Sequence, residues 1–200
     1  AIAGGAMVAR SLGENKPDRA SELLTHVLVV GVAFAVVFAS LIYANLYTLT
    51  GWIGAVGNTQ ELAVAYLKIL IPTMPILLIG IVVSAALRSH GAARLSMMVT
   101  LIAGVVNAVL DPIFIFTLDM GLEGAAWASV TARVSVAATA IYFIVTRYGG
   151  FVGFSMPAII RDLRPIAAMV IPAMLANIAA PIGGAYVTRA AAEFGEAPVA

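Results

Sequence analysis

The chain contains no cysteine, only two histidines, and few charges of either sign: ten acidic and eleven basic side chains in 200 residues. Without thiols it can form neither disulfides nor thiolate metal sites. A formal net charge of +1 removes the bulk electrostatic attraction that marks a nucleic-acid partner. The glycine-rich loop of a nucleotide-driven motor is missing, so ATP does not drive this segment. Neither His-Glu-x-x-His nor Gly-x-Ser-x-Gly occurs, and no enzyme mechanism is visible. No arginine ladder or potassium-filter sequence supports a channel.

What remains is overwhelmingly apolar. Hydrophobic residues make up 62% of the chain and charged residues 10%, whereas a soluble domain carries about 25% charged residues. The charges gather in short clusters between long apolar runs, the pattern of an all-α polytopic membrane protein. Barrel strands would instead give short alternating segments. Runs long enough to cross the roughly 30 Å of hydrocarbon are expected at about Leu23–Tyr47, Leu62–Leu87, Leu95–Leu118, Gly124–Thr146 and Pro165–Thr188. Ala1–Leu12 reads as the tail of one more. The first residues carry no initiator Met or charged leader, and the last have no hydrophilic tail, so an internal piece of a longer membrane protein is expected.

Orientation follows from the basic residues. One alternate set of connections holds Arg10, Lys16, Arg19, Arg88, Arg94, Arg147, Arg161 and Arg164; the opposite set holds only Arg189. The positive-inside rule puts the first set in the cytoplasm of a multi-pass cytoplasmic-membrane protein. Tyr43, Tyr47 and Trp52 then fall at the outer headgroup level, and Lys68 snorkels toward it. Gly149, Gly150, Gly153 and Pro157 interrupt the longest connection, which also carries arginines. It predicts a cytoplasmic linker over residues 148–164 between a bundle at 1–147 and the start of another at 165–200.

Asp111 is the residue hardest to explain by packing alone. A carboxylate at membrane depth costs roughly 3 kcal/mol on insertion scales. It lies about 24 Å along its span at 1.5 Å per residue, in the outer half. Asn107 stands four residues earlier, on the same helix face. Pro112 lacks an N–H, so the carbonyl of Ala108 loses its usual helix partner. Carboxylate, amide oxygen and freed carbonyl form an oxygen-rich nook that can hold Na⁺ or exchange a proton. The competing reading has Asp111 hydrogen-bond a neighbouring helix and fix packing.

Other candidates are less specific. Pro72 and Pro75 should kink their span and could gate a transporter, and Pro172 and Pro181 should do the same in the last span. Arg133, well inside a span, could meet a substrate, pair with a carboxylate or snorkel. Asn177 is a further cavity candidate. His26 and His90 sit at cytoplasmic ends without clustered ligands, which suits surface or capping roles.

Several stretches share one likeness. Leu87-Arg-Ser-His-Gly91, Val106-Asn-Ala-Val-Leu-Asp-Pro-Ile-Phe-Ile-Phe116 and Met120-Gly-Leu-Glu-Gly-Ala-Ala-Trp-Ala-Ser129 resemble the MATE (multidrug and toxic compound extrusion) family. Gly5-Ala-Met-Val-Ala-Arg-Ser-Leu-Gly13, Ile171-Pro-Ala-Met-Leu175 and Glu193-Phe-Gly-Glu-Ala-Pro-Val-Ala200 also look like it. The resemblance covers essentially the whole chain. It implies a monomeric twelve-helix, two-lobe antiporter, of which this chain would hold the end of helix 2 through helix 7. Residues 1–147 would then belong to the N-lobe and 165–200 would open the C-lobe. Such proteins export organic cations from the bilayer-bounded cell, driven by inward H⁺ or Na⁺, with no other cofactor. In one branch the N-lobe cation site uses an asparagine and an aspartate that match Asn107 and Asp111, and a hydroxyl residue at the position of Ser129. Another branch carries a C-lobe glutamate eight residues after a proline. Counting from Pro172 gives Ala180, which favours N-lobe coupling. A lipid or lipid-linked sugar flippase of the same superfamily is the alternative; it should show basic residues in its central cavity. A membrane scaffold that moves no solute is a third reading, in which Asp111 tolerates substitution.

Overall fold

The computed structural model describes residues 2–192 except 53 and 154, with side chains described from residue 4 to 177. The expectations for Ala180, Pro181, Arg189 and the 193–200 stretch lie outside that description. Among the described residues there are helices and no strands.

Helix α1 (Ile2–Gly13) turns through Asn15, whose φ of 56° is left-handed, into α2 (Pro17–Ala44). Pro17 suits a first helical turn, where its missing N–H leaves no bond unmade. A short α3 (Leu46–Trp52) follows, then α4 (Gly57–Leu70), a 3₁₀ turn (Ile71–Thr73) and α5 (Met74–Ser89). Helix α6 (Ala93–Pro112) passes into a π-helical turn (Ile113–Thr117), and α7 (Gly121–Tyr148) follows. Gly149, at φ 78°, ends α7, and the Gly150 N–H returns 3.1 Å to the Ile144 carbonyl. The last helix, α8, is Met156–Ala192. It starts well before the apolar run at Pro165 and stays helical through Pro165 and Pro172.

Four of the five expected spans are long, apolar helical stretches: Pro17–Ala44, Gly57–Ser89, Ala93–Thr117 and Gly121–Tyr148. The fifth falls within α8, whose side chains are described only in part. Helix α7 is the hub, packing along both α5 and α6; α1, α2 and α5 form a second trio. Helix α8 packs against α1 and α2.

The core is uneven. Its main cluster (Val8, Leu24, Val83, Leu87, Val99 and Ile144 among its most buried members) sits at the arginine-rich end of the bundle, and Ile166 of α8 joins it. A smaller cluster of Ala39, Leu46, Val64 and Ile71 closes part of the other end. Large apolar side chains such as Phe34, Leu101 and Phe116 are exposed, as a surface bathed in lipid permits.

Candidate functional site

Asn107 and Asp111 occupy successive turns near the end of α6, and both are half-buried. Pro112 closes α6, and the chain then widens into the π turn, in which the Leu118 N–H reaches the Ile113 carbonyl at 2.9 Å. Proline removes one rung of the helical ladder, and the wide turn takes up the misfit. The carboxylate therefore stands where the backbone departs from regular α-helix.

Helix α7 comes close enough to hold that departure in place because its facing residues are small. A Cβ on Gly124 would stand 2.6 Å from the carbonyl oxygen of Phe114, inside the π turn. Ala126 and Ala128 are fully buried. Ser129, the resemblance's hydroxyl position, is half-buried one residue further along α7. Thus Asn107, Asp111 and Ser129 lie on the two helices that pack most extensively. No side chain among the described residues hydrogen-bonds the Asp111 carboxylate.

Arg133 has a definite partner. Its Nη1 donates to the Leu70 carbonyl at 2.9 Å and to Thr73 Oγ1 at 2.7 Å, while the Thr73 hydroxyl donates to the same carbonyl at 2.8 Å. In the 3₁₀ turn the Met74 N–H bonds to Ile71, and the Leu70 carbonyl turns to the guanidinium instead. The arginine thus binds α7 to the break made by Pro72 and Pro75. These prolines, with Ser40 and Tyr43, also line a cavity of about 330 Å³. Asn177 donates to the Ala173 carbonyl of its own helix at 2.7 Å. Lys68 places its ammonium 5.6 Å from the centre of the Tyr47 ring, which keeps the charge near the aromatic end.

One expectation is corrected. His26 is neither a surface nor a capping residue: its side chain is 1% exposed, and Nδ1 lies 2.7 Å from Asp162 Oδ2. Asp162 is as buried and also accepts from Arg19 Nη2 at 2.6 Å and Arg161 Nε at 3.2 Å. Burial alone would raise the Asp162 carboxyl. The hydrogen bonds from Arg19, Arg161 and His26 outweigh it and hold the group well below the usual carboxylate range. The sequence carried a partial signal, since Arg19, Glu22 and His26 share one helix face. That Asp162 would meet this face was not readable. His90, by contrast, packs against Tyr148 with ring centres 4.5 Å apart and ring planes tilted by 34° at the same end.

The MatE family profile matches residues 1–113, more than half of the chain. The chain belongs to the MatE family. It is 26% identical over 144 residues to the multidrug export protein MepA of Staphylococcus aureus, covering 72% of this chain and 31% of that protein. MepA of Staphylococcus saprophyticus matches to the same extent. The chain thus spans about a third of the length of the curated relatives it matches. Among solved structures, the Vibrio cholerae MATE transporter VcmN in its bent form matches 98% of this chain with 45% of its own. The identity is 26% and the TM-score 0.90. A MOP superfamily transporter from Pyrococcus furiosus, for which reverse pocket polarity suggests a different function, matches 90% at 25% identity and TM-score 0.80. MatE relatives are transporters rather than enzymes, and this MatE chain is a multi-pass membrane protein.

Proposed function

We propose that this chain belongs to a cation-coupled antiporter that exports organic cations across the cytoplasmic membrane by alternating access. In that reading residues 1–147 lie in the N-lobe, residues 148–164 cross between lobes on the cytoplasmic side, and 165–200 begin the C-lobe. The observation that carries it is Asp111: an ionisable group on a spanning helix, beside Asn107, at a backbone break, with no side-chain hydrogen bond among the described residues. Ionisable groups kept at such depth mark ion pathways.

From outside, H⁺ or Na⁺ reaches Asp111 and neutralises it. Asn107 can supply an amide oxygen, and Ser129 a hydroxyl from α7, to a metal cation. Neutralising the carboxylate removes the attraction for an organic cation, which leaves. The lobes then rock inward, the coupling ion departs, and the restored negative charge favours the next substrate. The break at Pro112 and the Arg133-capped break at Pro72 and Pro75 are the positions at which the spanning helices can bend.

The alternative is a lipid or lipid-linked sugar flippase of the same superfamily. It calls for basic side chains facing a cavity. Arg133 is occupied by Leu70 and Thr73, and Lys68 stands over Tyr47, which weighs against it.

The test is efflux of a fluorescent organic cation from vesicles holding the full-length protein, under imposed H⁺ or Na⁺ gradients. Gradient-driven efflux lost in Asp111→Asn supports the reading and identifies the ion. Efflux unchanged by that substitution would overturn it, and no cation transport by either protein would direct attention to lipid-linked substrates.

A further inference from the structure

Five titratable side chains meet between the first turns of α2 and of α8. Asp162 accepts from Arg19, Arg161 and His26 as described, and Glu22 completes the ring. Its Oε2 accepts from Arg19 Nη1 at 2.7 Å and its Oε1 from Arg161 Nη2 at 3.1 Å. Each carboxylate is therefore held by both arginines, one from each helix. The Val152 N–H adds a bond to Thr25 Oγ1 at 3.2 Å, tying the connection to α2 as well. Glu22, His26 and Asp162 lie close enough to suggest a metal site. The two guanidinium groups hold both Glu22 oxygens and Asp162 Oδ1, His26 holds Asp162 Oδ2, and the arginines' positive charge repels a metal ion.

The cluster is an unusual way to hold two helices. Burying the Asp162 carboxylate against His26 carries a desolvation cost, and apolar residues of similar volume would hold the contact at least as firmly. An ionic contact differs in what happens when it opens. Water solvates every separated group, whereas an opened apolar contact leaves greasy surface in water. The neighbouring geometry fits a contact that opens. Ile166 anchors α8 in the core close to the cluster. An apolar cavity of about 310 Å³, lined by Gly31, Phe34, Leu163, Ile166, Val170 and Met174 among others, begins beside the cluster and lies between α8 and α2.

We propose that Arg19, Glu22, His26, Arg161 and Asp162 form a breakable ionic latch that holds the start of α8 on α2 in one state of the transport cycle and releases it in another. The cycle itself rests on the antiporter reading; the latch as a contact does not.

Two measurements on the full-length protein, cleared of any cysteine elsewhere, test it. The first places a cysteine at Ile166 and follows maleimide labelling in nanodiscs, without gradient or substrate. Labelling should be slow, become several-fold faster with Glu22→Arg or Arg161→Glu alone, and slow again in the Glu22→Arg/Arg161→Glu pair. A uniform rate, or a pair as fast as either single variant, overturns the latch. The second joins Glu22→Cys to Arg161→Cys with a short bifunctional maleimide in vesicles. Cation efflux should stop in the cross-linked protein and persist in singly labelled controls. Full efflux after cross-linking overturns a latch that must open, and leaves the antiporter standing. Absence of efflux before cross-linking overturns the antiporter reading, and with it the latch's place in a transport cycle; the labelling pattern alone then decides the contact.

Discussion

Gly124 of α7 lies so close to Phe114 that any Cβ would press on the backbone of the π turn, 2.6 Å from the carbonyl oxygen and 3.0 Å from the Ile115 nitrogen. Backbone cannot rotate aside as a long side chain can, so relief requires α7 to move. Gly124→Ala should cost about 1–3 kcal/mol, as overpacking typically does. The melting temperature of the purified full-length protein should fall. Because the displaced turn follows Asp111, the concentration of driving ion needed for half-maximal efflux should also rise. An alanine variant unchanged in both would show that the close approach does not shape the site.

Removing the arginine cap on the proline break should be destabilising. Arg133→Leu leaves the Leu70 carbonyl with only the Thr73 hydroxyl, a loss of about 1–3 kcal/mol for a charge-assisted bond in a half-buried setting. Arg133→Lys should recover part of it, since one ammonium N–H can reach the same carbonyl. Thermal unfolding of the three proteins checks the order, wild type above lysine above leucine.

Asn107→Ala and Ser129→Ala separate the two coupling ions. A metal cation loses an oxygen ligand in each variant, so the sodium concentration for half-maximal efflux should rise several-fold. A proton needs only the carboxylate, and proton-driven efflux should change little. Measuring both gradients on both variants distinguishes them.

The Asp162 carboxyl is held below its ordinary value. A depressed folded-state value means that its stabilisation is fully present above the unfolded value, about 3.9, and is lost as pH falls through the folded one. Asp162→Asn should therefore lower stability by about 3 kcal/mol at neutral pH, having removed one partner of a buried ion pair. The gap in melting temperature between wild type and variant should be constant from pH 8 to about 5, and narrow only below about 4. A gap that closes already near pH 6 would overturn the assignment to the Asp162 carboxylate.

Composition by itself determined the class of this protein and most of its spans. Unbroken apolar runs leave a helix as the only spanning element that satisfies its own backbone, and most charges gather at the ends because burial there is unnecessary. Asp111, Asn107 and the prolines were legible for the same reason: a polar group or a broken ladder is conspicuous against an apolar background. What the partners of these groups are, only the tertiary structure decided. Arg133 reads from sequence as a substrate contact, a carboxylate partner or a snorkelling cation, yet it caps a carbonyl sixty-three positions away. His26 reads as surface and is buried against Asp162, 136 positions distant. Gly124 looks like one small residue among many until Phe114 stands against it. Local propensity and hydrophobicity are properties of neighbours in the chain, and they fix where helices lie. Ion pairs and close backbone approaches depend on how those helices are placed against one another, and that placement is settled by packing across the whole bundle.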